Sequence, residues 1–302
     1  MVSPLVLPRS MTDHFSIELA AAARETQAAL QSVMVELGAL PVIAAMGYAV
    51  AGGKGLRGFL ARESARIYEV PQEAAIWPAA AIEALHAYSL VHDDLPCMDD
   101  DDLRRGKPTV HKAWDQATAV LTGDALHAFG FELSLNPKAS PDPAIRADLA
   151  LSLAQAGGAQ GMVLGQALDI AAETAAQPLT LEEIIALQQG KTGALIAWSA
   201  EAGARLAAAD IAPLTTYARA IGLAFQIADD ILDIEGDPEK AGKRLQKDEA
   251  AGKATFVTLL GLDGAKRRAK ELVASACDAL APFGSEANSL QRCAEFIIAR
   301  DN

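Results

Sequence analysis

Two aspartate clusters, more than a hundred residues apart, hold the residues in this chain best suited to chemistry. The first reads Asp93-Asp94-Leu95-Pro96-Cys97-Met98-Asp99. It runs on through Asp100, Asp101 and Asp102 and is followed by Arg104-Arg105-Gly106. The second reads Asp229-Asp230-Ile231-Leu232-Asp233 and follows Phe225-Gln226. Both are embedded in apolar stretches, residues 84–95 and 221–234. Carboxylates crowded at apolar positions repel one another and lose hydration unless a cation joins them. Mg²⁺ prefers carboxylate oxygens and characteristically bridges a few of them to substrate phosphates. Two such clusters facing each other would clamp a diphosphate.

Spacing sharpens this. Asp229 and Asp233 are four apart and share one helical face, with Asp230 flanking. A helix cap is a poor reading in the middle of a run, and the neighbouring isoleucines and leucine do not suit a wet surface. Asp93 and Asp99 are six apart, about 120° from each other on an ideal helix. Pro96 breaks the helical ladder and lets the bent chain bring Asp99 back beside Asp93. Asp100 to Asp102 read as a solvated loop. A calcium loop of the EF-hand type is disfavoured, because the run lacks the sixth-position glycine and closing glutamate.

Basic residues flank the acid ones. Gly52-Gly53-Lys54-Gly55-Leu56-Arg57-Gly58 is a glycine-rich loop opening a helix, where backbone N–H groups and the helix start favour an anion. It lacks the GxxxxGK[ST] order of a P-loop. Arg57 can grip phosphate in a bidentate fork. Arg104 and Arg105 either neutralise the acid run or bind an anion. His86 lies seven residues before Asp93, on the same face. Lys191-Thr192 stand between Gly190 and Gly193 inside an apolar helix, which predicts a local distortion. Lys243 and Lys253 follow the second cluster and, taken alone, read as surface lysines.

The elements that must position these groups are helices. Alanine and leucine dominate the 302 residues, 51% are hydrophobic, 5% are aromatic, and β-branched residues are scattered. Apolar residues recur at helical spacing over 12–36, 40–50, 57–69, 72–95, 110–114, 117–135, 143–172, 180–187, 191–207, 210–235, 264–281 and 286–300. No linker or fixed repeat divides the chain. The expectation is one domain over 1–302, an all-α bundle of long helices around a central cavity, with residues 1–10 a tail and Met11 an alternative start. A net charge of −13 argues against nucleic acid as a partner. Cys97, Cys277 and Cys293 have no metal-ligand spacing and suit a reduced, cytoplasmic protein. No signal-peptide pattern and no uncharged apolar stretch of membrane-spanning length is present, so stable membrane insertion is not expected.

In combination and in order, these motifs resemble the trans-isoprenyl diphosphate synthases (polyprenyl synthetases), in the short-chain bacterial form of the farnesyl diphosphate synthase type. His86-Ala87-Tyr88-Ser89-Leu90-Val91-His92, the first cluster and Arg104-Arg105-Gly106 are similar to that family's first aspartate-rich motif. Phe225-Gln226-Ile227-Ala228 and the second cluster are similar to its second. Gly165-Gln166 and Gly190-Lys191-Thr192-Gly193 also match. The family loop usually reads GGKRLRP, and here Gly55 and Gly58 replace its first Arg and its Pro, while Lys54 and Arg57 are kept.

The resemblance implies the isoprenoid synthase type I-like prenyltransferase fold, a homodimer, and Mg²⁺, about three ions bound with the allylic diphosphate. It implies condensation of isopentenyl diphosphate with dimethylallyl and geranyl diphosphates to farnesyl diphosphate. Asp93, Asp94, Asp99, Asp229, Asp230 and Asp233 would hold metal. Arg104, Lys191, Thr192, Gln226 and Lys243 would assist the allylic diphosphate. Lys54, Arg57, His86 and Arg105 would hold isopentenyl diphosphate, and Lys253 is a further substrate contact. Asp93, Asp229, Lys191, Thr192 and Gln226 would take the catalytic roles. Tyr88, five residues before Asp93, would floor the product cavity. Geranyl and geranylgeranyl diphosphate synthases are the nearest alternatives. A class I terpene cyclase carries Asn/Ser/Glu-type ligands at its second metal motif, and a non-catalytic subunit would be expected to lack one cluster.

Overall fold

Buried alanines set how closely the central helices of this chain pack. The computed structural model describes residues 9–175, 177–235 and 255–299. Among them the helices are α1 (Arg9–Glu36), α2 (Pro41–Ala49), α3 (Leu56–Ile67), α4 (Gln72–Asp93), α5 (Val110–Ala113), α6 (Gln116–Ser134), α7 (Pro143–Gly157), α8 (Met162–Glu173), α9 (Leu181–Gln188), α10 (Ala194–Leu206), α11 (Ala212–Glu235), α12 (Phe256–Leu260), α13 (Leu262–Ala279) and α14 (Asn288–Ala299). A π-helical turn, Gln189–Gly193, joins α9 to α10, and a 3₁₀ segment, Ala281–Ala287, precedes α14. The described strands are β1 (Leu103–Arg104) and β2 (Lys107–Pro108), an antiparallel pair with Leu103 opposite Pro108 and Arg104 opposite Lys107.

The chain gathers into two compact units. Glu18–Ala154 with Ala202–Ala209 form one; the described parts of Met1–Ile17, Gln155–Glu201 and Asp210–Asn302 form the other. In the first, α4 is the core helix. Ala79, Ala80, Ala81, Ile82, Ala84 and Leu85 are buried, so α4 is covered on several sides and shows little amphipathicity. By length and composition α4 could cross a bilayer, but most of its apolar window is buried in protein. Small residues set its approach to α6. A Cβ on Gly130 would meet the Ala81 carbonyl oxygen at 3.2 Å, and one on Gly123 would collide with the His92 ring. In the second unit α11 is the buried centre, with Tyr217, Ile221, Ala224 and Ile227 inaccessible, and it packs on α13.

The apolar pattern over 143–172 predicts one helix; the chain makes two, α7 and α8. At Gly161 a Cβ would lie 2.1 Å from the Ala156 carbonyl oxygen, so the chain turns where only glycine fits. The hairpin, α12 and the 3₁₀ segment are further described elements that the apolar periodicity does not register.

Candidate active site

The first acid cluster is built where a helix fails. Leu95 precedes Pro96 and is biased away from helical backbone, so α4 ends at Asp93 with Asp94 as its C-cap. The chain then folds back on itself. Met98 N–H donates to the Leu95 carbonyl at 2.9 Å, and Asp99 N–H donates to the Asp93 carbonyl at 2.8 Å. The expected return of Asp99 to Asp93 is therefore fixed by a backbone hydrogen bond. Asp94 points elsewhere. Its side chain is 4% exposed, and its Oδ1 accepts from Arg104 Nε at 2.9 Å. Burial pushes the Asp94 carboxyl up against the pull of Arg104. Burial opposes charge on Arg104 most strongly, but the bond to Asp94 and the charges of Asp94, Asp101 and Asp93 together outweigh it and hold the guanidinium above its ordinary value. Among the expected metal ligands, Asp94 thus anchors an arginine. Asp101 lies 3.6 Å from the same arginine, and Asp102 pairs with Lys112 at 2.8 Å. Asp100 and Asp102 are exposed, as a solvated loop requires.

The β hairpin resolves the two arginines. Arg105 and Gly106 form its turn, both with positive φ (54° and 73°), as a two-residue hairpin of the right twist demands. Arg104 turns to the acid cluster. Arg105 turns to the glycine loop: its Nη1 donates to the Ala51 carbonyl at 3.4 Å, and a Cβ on Gly53 would come within 3.0 Å of it. Gly55 starts α3 with φ +67°, and a Cβ there would lie 2.6 Å from that of Ala23. Gly58 donates its N–H to Glu83 Oε1 at 2.8 Å, a bond that proline cannot make. Both departures from the usual loop pattern therefore fit this chain's own packing.

Arg57, on the first turn of α3, has a buried Nε without a hydrogen-bond partner. Burial lowers its pKa, Glu83 opposes the loss, and Arg105 adds to it. His86 is held well below the ordinary imidazole value, first by burial and then by Arg57, Arg105 and Arg104. So Arg57, His86 and Arg105 converge with Glu83 as counter-charge, and His86 is a neutral hydrogen-bonding group. Lys54 is exposed on the loop. An anion with several oxygens suits this set, because it would satisfy the orphaned Arg57 Nε.

The second cluster needs no break. Gln226, Asp229, Asp230 and Asp233 lie on successive turns of α11, all half-buried. Asp230 Oδ2 accepts the Phe256 N–H at 2.7 Å and so caps the first turn of α12, where Thr255 is the N-cap. The predicted distortion at Lys191-Thr192 is the π turn. Its cause is a glycine crossing. A Cβ on Gly165 would sit 2.0 Å from the Lys191 nitrogen, and one on Gly190 would sit 3.0 Å from the Gly165 Cα. α8 and the π turn touch backbone to backbone, and such single π turns recur at functional sites. Lys191 Nζ reaches Asp169 Oδ2 on α8 at 2.6 Å.

Among the described residues, no three Asp, Glu, His or Cys side chains are gathered closely enough to cage an ion alone. Mg²⁺ does not need such a cage, since it keeps waters and binds through one or two carboxylates plus substrate phosphates. The donor sets Asp93 with Asp99 and Asp229 with Asp233 fit that chemistry. Lys243 and Lys253 lie outside the described residues. Spacing overlooked Asp169, Glu83 and Tyr48. The signal for Asp169 was its place four residues after Gly165, on the face that meets Lys191.

A family model described as polyprenyl synthetase matches residues 41–285. A farnesyl diphosphate synthase of Haemophilus influenzae is 43% identical over 95% of this chain and 99% of its own length. A chloroplastic geranylgeranyl pyrophosphate synthase of Capsicum annuum is 42% identical over 85% of this chain and 71% of its own. The apo crystal structure of an FPP/GFPP synthase from Zymomonas mobilis superposes with a TM-score of 0.86 at 45% identity, covering 94% of this chain and 99% of that one. The all-helical fold is thus that of the isoprenoid synthases. With two aspartate clusters, a glycine loop and a π turn on that fold, and close similarity along nearly its whole length, the chain belongs to the polyprenyl synthetase family.

Proposed function

We propose that the chain is a Mg²⁺-dependent prenyltransferase that joins isopentenyl diphosphate head-to-tail to dimethylallyl and then geranyl diphosphate, giving farnesyl diphosphate and diphosphate. The observation that carries this reading is the convergence of Arg57, Arg105 and the neutral His86 around an unfilled hydrogen-bond donor, beside an acid cluster whose ends a backbone bond draws together. Bound Mg²⁺ would supply positive charge to the allylic diphosphate as it leaves. Asp93, Asp99, Asp229 and Asp233 would hold that metal, with Asp94 and Asp230 keeping their surroundings in place. Arg104 and Lys191 add fixed positive charge where negative charge develops. Arg57, Arg105, His86 and Lys54 hold the second diphosphate and so orient the isopentenyl double bond for attack. The allylic C–O bond breaks, the new C–C bond forms, and the released diphosphate takes the proton lost. The π-turn carbonyls, the Thr192 hydroxyl and the Gln226 amide oxygen offer dipoles to the transient carbocation without a strong nucleophile. Lys243 and Lys253 belong to the same reading as substrate contacts. A single catalytic domain, a homodimer and a cytoplasmic location also belong to it; the three free cysteines suit a reducing compartment.

A C20 product is the second reading, favoured by the similarity to the pepper enzyme. Tyr88 discriminates. Its half-buried ring lies 5.3 Å from His92 and 4.8 Å from His127 between α4 and α6. Incubating the protein with isopentenyl and dimethylallyl diphosphates and Mg²⁺ should give C15 product by chromatography, and Tyr88→Ala should extend it to C20 or longer. Wild-type accumulation of C20 would replace the C15 assignment. A variant that still stops at C15 would remove Tyr88 as the floor.

A further inference from the structure

The hairpin that carries both arginines is too small to hold itself. It has two paired positions and a turn with two positive-φ residues, and isolated two-stranded ribbons are marginal at best in water. Its base is tied by Thr109, whose N–H donates to the Asp102 carbonyl at 3.0 Å. Its first strand is tied by the Arg104–Asp94 pair. The second strand is tied across 60 residues: the Tyr48 hydroxyl donates to the Pro108 carbonyl at 2.7 Å.

Tyr48 is well placed to carry information between the two halves of the anion site. It is the penultimate residue of α2, which runs directly into Gly52, Gly53 and Lys54. Its ring is fixed edge-on against Trp114 at 5.2 Å, with the Lys107 ammonium 5.8 Å from the ring centre. It lines a cleft with Gly52, Arg104 and Arg105. The hydroxyl thus links the strand beside Arg105 to the helix that launches the glycine loop. Arg104 has an independent anchor in Asp94. Arg105 has a long 3.4 Å bond to Ala51, itself on the segment that Tyr48 precedes.

We propose that Tyr48 is a positioning residue for the isopentenyl diphosphate site, its hydroxyl holding the Arg105 hairpin in register with the glycine loop so that Arg105 and Arg57 grip one diphosphate together. The inference rests on the reading that Arg57 and Arg105 bind that diphosphate. A bidentate grip shared by two separate elements tolerates little relative movement, and misplacement by about 1 Å costs up to about a hundredfold. Loss of one hydroxyl from an otherwise intact ring should cost less.

The test is Tyr48→Phe. With saturating geranyl diphosphate, KM for isopentenyl diphosphate should rise about 5- to 20-fold, while kcat and the allylic KM stay within about twofold. In an Arg105→Ala background the same substitution should change the isopentenyl KM less than twofold, because the residue it positions is gone. Amide exchange should quicken at residues 103–109 and 51–55 and stay unchanged at 94–99. An unchanged isopentenyl KM in Tyr48→Phe, an equal rise for both substrates, or a full effect that persists in Arg105→Ala would overturn the proposal. If Arg105→Ala alone raises the isopentenyl KM and Tyr48→Phe does not, the substrate reading stands and the role of Tyr48 falls. If Arg105→Ala alone leaves that KM unchanged, both fall.

Discussion

The two aspartate clusters begin alike and are made differently. Each opens with a pair, and in each the second member serves the fold: Asp94 anchors Arg104, and Asp230 caps α12. In the second cluster the remaining residues, Asp229 and Asp233, take their spacing from one uninterrupted helix. In the first, α4 has ended, and Asp99 is returned to Asp93 by a folded segment with its own backbone bonds. A regular helix gives a shared face without further support. An irregular segment must be braced, and the brace here is Asp94, Arg104 and the hairpin. The regions also treat their basic residues differently. Lys191 faces a carboxylate, Asp169, whereas Arg57 and Arg105 face each other and a histidine stripped of charge, with Glu83 as the counter-charge.

The widest break in this comparison would come from the first member of each pair. Asp93→Ala and Asp229→Ala should each lower kcat about 10³-fold or more with little change in thermal midpoint, and chelation should abolish wild-type turnover until Mg²⁺ is restored. Near-normal turnover in either variant would take its cluster out of metal binding.

Next come the basic residues. Arg57→Ala should raise KM for isopentenyl diphosphate and Lys191→Ala that for the allylic diphosphate, each about 10- to 100-fold, the range expected for lost charge-assisted hydrogen bonds. Steady-state kinetics with each substrate varied in turn would check this. If both variants affected the same substrate, the division between the two regions would be lost.

How legible these regions were follows from how they are built. The shared helical face of the second cluster could be read from spacing, because i, i+3 and i+4 on a helix is geometry, whereas the bond from Phe256 to Asp230 could not. The distortion at Lys191 was visible from its flanking glycines, although its cause, contact with Gly165 on another helix, is a tertiary fact. The first cluster was legible only as far as the proline. Two-residue strands reading Leu-Arg and Lys-Pro show no alternation, so the hairpin that splits Arg104 from Arg105 had no periodic signal. Gly58 read only as a departure from the usual loop, because its bond to Glu83, 25 residues away, cannot be seen from spacing. The break at Gly161 was hidden by apolar periodicity that continues through it.

A smaller effect separates the second members of the pairs. Asp94→Asn leaves a half-buried arginine with only the more distant Asp101 carboxylate, 3.6 Å away. Because Arg104 is 34% exposed, the loss should be near the low end for such pairs, about 2 kcal/mol. Asp230→Asn keeps a carbonyl acceptor for the Phe256 N–H and should cost under about 1 kcal/mol. Urea denaturation at neutral pH would measure both. Equal losses would mean that the hairpin brace contributes no more than the cap.

The smallest effect concerns the charge that His86 lacks. Its folded pKa lies well below the unfolded value of about 6.5, because burial and three arginines disfavour the imidazolium. The unfolded chain therefore binds this proton first as pH falls. The stability linked to His86 is fully present above about pH 6.5 and is lost progressively below it, at no more than about 1.4 kcal/mol per pH unit. His86→Gln keeps hydrogen-bonding capacity and removes the titration. Urea midpoints of the two proteins should run parallel above pH 7 and diverge below pH 6.5, the wild type falling faster. The same neutrality predicts that KM for isopentenyl diphosphate shows no His86-dependent inflection between about pH 6.5 and 8.5. Parallel stability curves down to pH 5 would mean that His86 charges normally in the folded protein. The first region would then carry a further cation beside its arginines, and its contrast with the carboxylate-paired Lys191 would widen.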